Sequence, residues 1–120
     1  MKNSPKYSFF KNWKYALAGF FEVLKTEKSF KIELIIFLFL FISLIFFKFD
    51  FLDNLFLISS IFIVIVTELL NSAIERAVDL VTLEKHDLAK KAKDAAAAAV
   101  MFSNFLCFLT WITILYKNFL

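Results

Sequence analysis

The sequence predicts an all-α integral membrane protein, with an N-terminal amphipathic surface helix followed by three transmembrane helices in one domain of 120 residues. Three observations lead there. Hydrophobic residues make up 61% of the chain, more than a soluble domain of this length can bury, because small domains have little interior. Gly and Pro occur once each, which leaves few positions for hairpin turns. The apolar residues fall in long runs rather than in alternation, which favours helices over strands. No linker or internal repeat divides the chain, so residues 1–120 are read as a single membrane-embedded domain.

The surface helix is expected over residues about 7–25. Phe10, Trp13, Leu17, Phe20, Phe21 and Leu24 recur at helical spacing on one face, with Lys11, Lys14, Glu22 and Lys25 on its flank. Aromatic rings at headgroup level and snorkelling lysines suit a helix lying in the membrane interface. Its role is either a simple anchor or a route for lipid to the site. The basic N-terminus lacks a short apolar core followed by a small-residue cleavage site, so it is read as mature chain.

The first span is expected over about 30–47, with the uncharged centre "LIIFLFLFISLIFF". The second covers about 55–78. Its charge-free part, Leu55 to Thr67, is shorter than the roughly 20 residues a helix needs to cross. To span, it must carry Glu68 and Glu75 with it. The third covers about 95–116 and is uncharged throughout. Cys107 is the only cysteine and lies in that apolar run, so it reads as a small buried or lipid-facing residue without a redox role.

Lysines set the expected orientation. Lys2, Lys6, Lys11, Lys14, Lys25, Lys28 and Lys31 precede or open the first span, and Lys85, Lys90, Lys91 and Lys93 lie between the second and third. The first loop holds only Lys48, and only Lys117 follows the third span. The positive-inside bias therefore assigns the N-terminus and the second loop to the cytoplasm. The formal net charge of +3 fits an anionic inner leaflet and needs no nucleic-acid partner.

The second span carries the chemistry. In "TELLNSAIERAVD", Glu68, Asn71, Glu75 and Asp79 fall within roughly 80° of one another on a helix, with Ser72 at the edge of the stripe. Leu69, Leu70, Ala73, Ala77 and Leu80 form the apolar side. Such a stripe should face other helices or a wet cavity. Polar residues can also glue helices together, but two glutamates and an aspartate exceed what packing needs. Glu68 lies about 10 Å deeper than Glu75 at about 1.5 Å per residue. Glu27, just before the first span, shares the level of Glu75. Two converging carboxylates there suit Mg²⁺, a hard ion that shares oxygen ligands with phosphates. Glu68, alone and deeper, suits proton abstraction from a group delivered by lipid.

The following loop, "TLEKHDLAKKAKDAAAAAV", gathers Glu84, Lys85, His86, Asp87, Lys90, Lys91, Lys93 and Asp94. Most of these read as solvated charges. Lys93 abuts the third span and can reach phosphate at the interface, whereas a lone His86 makes no metal site. The run Ala95 to Ala99 reads as a packing surface. A Gly-rich phosphate loop is missing, the one glycine being Gly19, so any nucleotide is held without a P-loop or protein-kinase scaffold.

"ELLNSAIERAVDLVTLEKHDLAKKAKDAAAAAV" resembles the signature of the prokaryotic diacylglycerol kinase family: Glu-x-x-Asn-[Ser/Thr]-Ala-[Ile/Val]-Glu-x-x-Val-Asp, then Glu-Tyr-His, then Ala-Lys-Asp. The likeness extends to chain length, the N-terminal helix, the Gly19 to Glu27 spacing and the three spans. The resemblance implies a homotrimeric kinase of the bacterial inner membrane that moves the γ-phosphoryl of Mg-ATP to a lipid hydroxyl. It implies Glu68 as proton acceptor and Glu27 and Glu75 as ligands of Mg²⁺ and, through it, of ATP. Tyr15, Glu84, Lys85, His86, Lys93 and Asp94 would contact the nucleotide. Asn71 and Asp79 would support the site, and Trp111 would touch the lipid substrate. A site shared between subunits fits a chain whose three helices cannot easily surround both ATP and a lipid. The chain departs from the family at Ser8, where a relative has Arg and where Lys6 or Lys11 would have to substitute. It departs also at Lys85, in place of Tyr, and at Ala96 and Ala97, where some members have Gly or Ser.

Three functions compete. One is a kinase making phosphatidic acid from diacylglycerol, towards which "LISS" and "SAIE" lean. The second is the same transfer to undecaprenol. The third is a small transporter or channel subunit using Glu68 for protons, which leaves Glu27, Asp79 and Lys93 unexplained.

Overall fold

The computed structural model describes residues 8–120, and every regular element among them is helical. Lys2, Lys6 and Tyr7, the first residue expected in the surface helix, lie outside the described residues. Helix α1 runs Phe9–Thr26, α2 Lys28–Phe47, α3 Phe51–Val81 and α4 Asp87–Phe119. Helices α2, α3 and α4 are long and apolar enough to cross a membrane.

Local chemistry starts and stops each helix. Ser8 caps α1, its hydroxyl accepting from the Lys11 amide at 3.4 Å. Glu27 ends α1 and begins α2 in extended conformation, φ −111° and ψ 108°. That single residue turns the chain without Gly or Pro, and its side chain makes no cap bond to α2. Lys48 ends α2 in the left-handed region, φ 53°. Asp50 caps α3 by accepting from the Asp53 amide at 2.9 Å, and His86 Nδ1 caps α4 by accepting from the Leu88 amide at 3.2 Å. Such caps satisfy amides that a helix start leaves without partners.

The core is the seam between α3 and α4. Leu57, Ile61 and Val64 pack with Cys107, Trp111 and Ile114, and Leu44 and Phe49 close one end. Small hydroxyls let the two backbones approach. Thr67 and Ser103 hydroxyls lie 2.7 Å apart, and Ser60 donates to Cys107 Sγ at 3.5 Å. Small and weakly polar side chains are what helix packing within lipid favours, because apolar burial drives little there. Ala96 is buried, as a packing surface requires.

Helix α2 meets this seam along one edge, through Leu44 with Phe37 and Leu40 packed beside it, and buries only Phe30 and Leu44. Its Ile35, Leu38, Phe39, Ile45 and Phe46 stay exposed. Helix α1 meets the rest through buried Val23 and the edge of the Phe20 ring on Phe30.

Two polar ends result. At one, Lys117 and Asn118 of α4 close on Asp53 of α3, with Nζ–Oδ1 at 3.0 Å and Nδ2–Oδ2 at 3.1 Å. At the other, the Glu27 elbow, the C-terminal turns of α3 and the start of α4 come together. At about 1.5 Å per residue, the 31 residues of α3 reach about 46 Å, against a hydrocarbon core of about 30 Å. A helix of that length can hold an apolar crossing and still extend its polar turns beyond it.

Candidate active site

Glu68 is half-buried on α3. Glu33 of α2 neighbours it, with Glu27 and Glu75 in the same acidic stretch. Carboxylates from α2, the elbow and α3 thus gather round one stretch of helix. Ser72, 2% exposed, donates its hydroxyl to Glu27 Oε2 at 2.5 Å. Asn71 Nδ2 donates to Glu75 Oε1 at 3.1 Å. The α1–α2 elbow frees the Glu27 carboxylate to reach across to α3, and the i, i+4 spacing brings Asn71 onto Glu75.

Acceptors outnumber donors here. Glu33 Oε2 and Asn71 Oδ1 are buried with no hydrogen-bond partner among the described residues. Like charges in a poorly solvated place repel, and an all-oxygen set with unfilled lone pairs fits a hard cation such as Mg²⁺. No three His, Cys, Asp or Glu side chains among the described residues form a metal-holding group. The protein's share would be one or two carboxylates, with phosphates and water completing the shell.

A second cluster lies at the α3–α4 connection. A groove of about 550 Å³ is lined by Thr82, Glu84, Lys85, His86, Lys90, Lys93 and Asp94, among others. Lys93 Nζ donates to Asp79 Oδ1 at 2.7 Å, bridging the connection. Lys90 pairs with Asp94 at 2.6 Å and Lys91 with Asp87 at 3.0 Å, each along one helical turn. These two pairs are solvated charges as expected, but they stand on the first turns of α4, which begins at Asp87, rather than in a loop. Thr82 Oγ1 accepts from the Glu84 amide at 3.1 Å and so shapes the groove's rim.

Of the candidate residues, the fold brings together Glu27, Glu68, Asn71 and Glu75 in one cluster, and Glu84, Lys85, His86, Lys93 and Asp94 along one groove. Asp79 joins them through Lys93. Tyr15 stands exposed on α1 and lines neither feature. Ser8 is engaged in capping α1. Trp111 is buried in the α3–α4 core, its indole N–H without a partner among the described residues. Eight residues along α4 from Ser103, it lies about 12 Å further along the helix. Sequence reasoning passed over Glu33, although an ionisable residue at the head of an apolar span is itself a signal. It also passed over Arg76, which bonds to Glu22 and Thr26 of α1. No periodicity marks a pair drawn from two helices.

The family model described as prokaryotic diacylglycerol kinase matches residues 14–115. The Diacylglycerol kinase of Pseudomonas aeruginosa is 35% identical over 107 residues, covering 84% of this chain and 82% of that relative. The Diacylglycerol kinase of Haemophilus influenzae is 36% identical over 104 residues, covering 86% and 87%. The Diacylglycerol kinase of Escherichia coli K12 is 40% identical over 70 residues, 58% of this chain. In that alignment the chain spans little more than half, 57%, of the relative's length.

Proposed function

The chain belongs to the prokaryotic diacylglycerol kinase family, and from that premise we propose that it transfers the γ-phosphoryl group of ATP to the hydroxyl of diacylglycerol, giving phosphatidic acid. The observation that carries this reading is a half-buried Glu68 on a long apolar helix, with Glu27 and Glu75 close enough to act on it. The lipid hydroxyl oxygen attacks the γ-phosphorus while the bond to the ADP oxygen breaks, and the hydroxyl proton passes to the Glu68 carboxylate.

Glu27 and Glu75 would hold Mg²⁺, which when bound would neutralise phosphate charge. Ser72 and Asn71 orient those two carboxylates. Lys93, steadied by Asp79, offers positive charge to the phosphoryl group in flight. The groove with Glu84, Lys85, His86 and Asp94 receives the nucleotide, and Tyr15 and Trp111 serve nucleotide and lipid respectively.

The carboxylates Glu27 and Glu75 do not line the groove that contains Lys93, which supports a site completed by another copy in a homotrimer. The exposed apolar side chains of α2 supply a surface for such copies or for lipid. Exposed Phe10, Trp13 and Phe21 support α1 as a surface helix. Lysine distribution supports a bacterial inner-membrane protein with its N-terminus in the cytoplasm.

The test is to incubate the purified protein in bilayers with Mg-ATP and either diacylglycerol or undecaprenol. Phosphatidic acid is expected. Phosphorylation of undecaprenol alone would assign the other lipid, and proton flux with neither product would favour the transporter.

A further inference from the structure

Arg76 is absorbed by none of the chemistry above, yet it bonds to the last turn of α1 immediately before the Glu27 elbow. Its Nη1 donates to a Glu22 carboxylate oxygen, and its Nη2 donates to Thr26 Oγ1 at 3.0 Å. The same Nη2 stands 4.0 Å from Glu27 Oε1. Thr26 in turn donates its hydroxyl to the Glu22 carbonyl at 2.8 Å. Glu22 and Thr26 are one helical turn apart on α1, and Ser72 and Arg76 are one turn apart on α3. Two successive turns of α3 therefore hold two adjacent pieces of the chain, Ser72 the elbow and Arg76 the helix before it.

We propose that Arg76 is a positioning residue that clips α1 to α3 and so fixes the elbow from which Glu27 reaches the site. The inference rests on the kinase reading for its catalytic consequence and on geometry alone for the clip. A planar guanidinium can address two acceptors at once, which an ammonium on a flexible stem does less well. The Arg76 and Glu22 side chains are 45% and 50% exposed, and ion pairs that open to solvent add little to stability. The clip therefore acts on where Glu27 stands rather than on whether the chain folds. Few other side chains do this work: α1 buries only Val23, and the Glu27 side chain gives α2 no cap bond.

The test uses Glu22→Ala, which leaves the charge beside Glu27 intact, and Arg76→Lys, which keeps that charge but loses the fork. Both should raise KM for Mg-ATP about fivefold with kcat within about twofold, since misplacing a binding group costs affinity before it costs chemistry. The double variant should be no worse than either single one, because both break the same grip. Hydrogen exchange at the amides of residues 20–27 should quicken in all three. Unchanged KM in both single variants, or additive effects in the double, would overturn the positioning role. Unchanged exchange would overturn the clip whatever the kinetics. If the unaltered protein phosphorylates neither lipid while the variants still quicken exchange, the kinase reading fails and the clip stands.

Discussion

Ser72 and Glu27, 45 positions apart in the chain, meet through a hydroxyl-to-carboxylate hydrogen bond of 2.5 Å. Ser72 is among the most enclosed side chains of the protein, at 2% exposure. The contact joins the elbow between α1 and α2 to the polar stretch of α3. Ser72→Ala leaves that oxygen without its donor. A hydrogen bond to a charged group contributes roughly 1.5–3 kcal/mol, so KM for Mg-ATP should rise about tenfold in initial-rate measurements, with little change in kcat.

Glu68→Gln should separate chemistry from binding. The amide keeps the shape of the side chain but cannot accept the hydroxyl proton. A positioned general base contributes about 10²–10⁴ in rate, and lipid phosphorylation should fall by that order. Calorimetric titration with Mg-ATP should give an affinity close to that of the unaltered protein. Normal turnover in this variant would remove Glu68 from the proton-accepting role.

Glu27→Gln and Glu75→Gln should act on the other side of the reaction. Each removes a charged oxygen ligand suited to Mg²⁺. KM for Mg-ATP should rise by about tenfold or more, and the Mg²⁺ concentration for half-maximal rate should rise with it. Glu33→Gln tests the residue that sequence reading passed over. Because Glu33 neighbours Glu68 from the facing helix, it should alter kcat more than KM for the nucleotide.

Lys93→Ala should lower kcat by about 10²-fold, as expected when charge stabilisation of the transferring group is lost. Asp79→Asn should move in the same direction by less, since it loosens Lys93 without removing it. Equal kcat in Lys93→Ala and the unaltered protein would leave the 2.7 Å Lys93–Asp79 pair as a fastening of the α3–α4 connection alone.

The opposite end of the molecule should be separable from catalysis. Asp53, 6% exposed, takes hydrogen bonds from Lys117 and Asn118. Asp53→Ala should lower the midpoint of thermal unfolding in detergent micelles by opening the far end of the α3–α4 seam. KM for Mg-ATP should stay unchanged, because these groups stand at the end of α3 remote from Glu75.

Much of this protein was legible along the chain because two signals are local. Uninterrupted apolar runs mark helices that can cross a membrane, and a period near 3.6 residues lines up Glu68, Asn71, Glu75 and Asp79 without any knowledge of the fold. The bond from Asn71 to Glu75 follows from that period alone. Lys90 and Lys91, expected as solvated charge, each pair one turn away.

What the tertiary structure decided is which helix each group answers to. Sequence spacing leaves Ser72 at the edge of a stripe, but packing buries it and turns it towards Glu27. Trp111, which the family resemblance assigns to the lipid substrate, packs in the α3–α4 seam. Arg76 lies in an unremarkable local pattern, and both it and Glu33 gain their meaning from partners on other helices. Helical periodicity orders residues around one axis only. The distance between two axes depends on the side chains that pack between them, so contacts such as Arg76 to Glu22 emerge only when the helices are assembled.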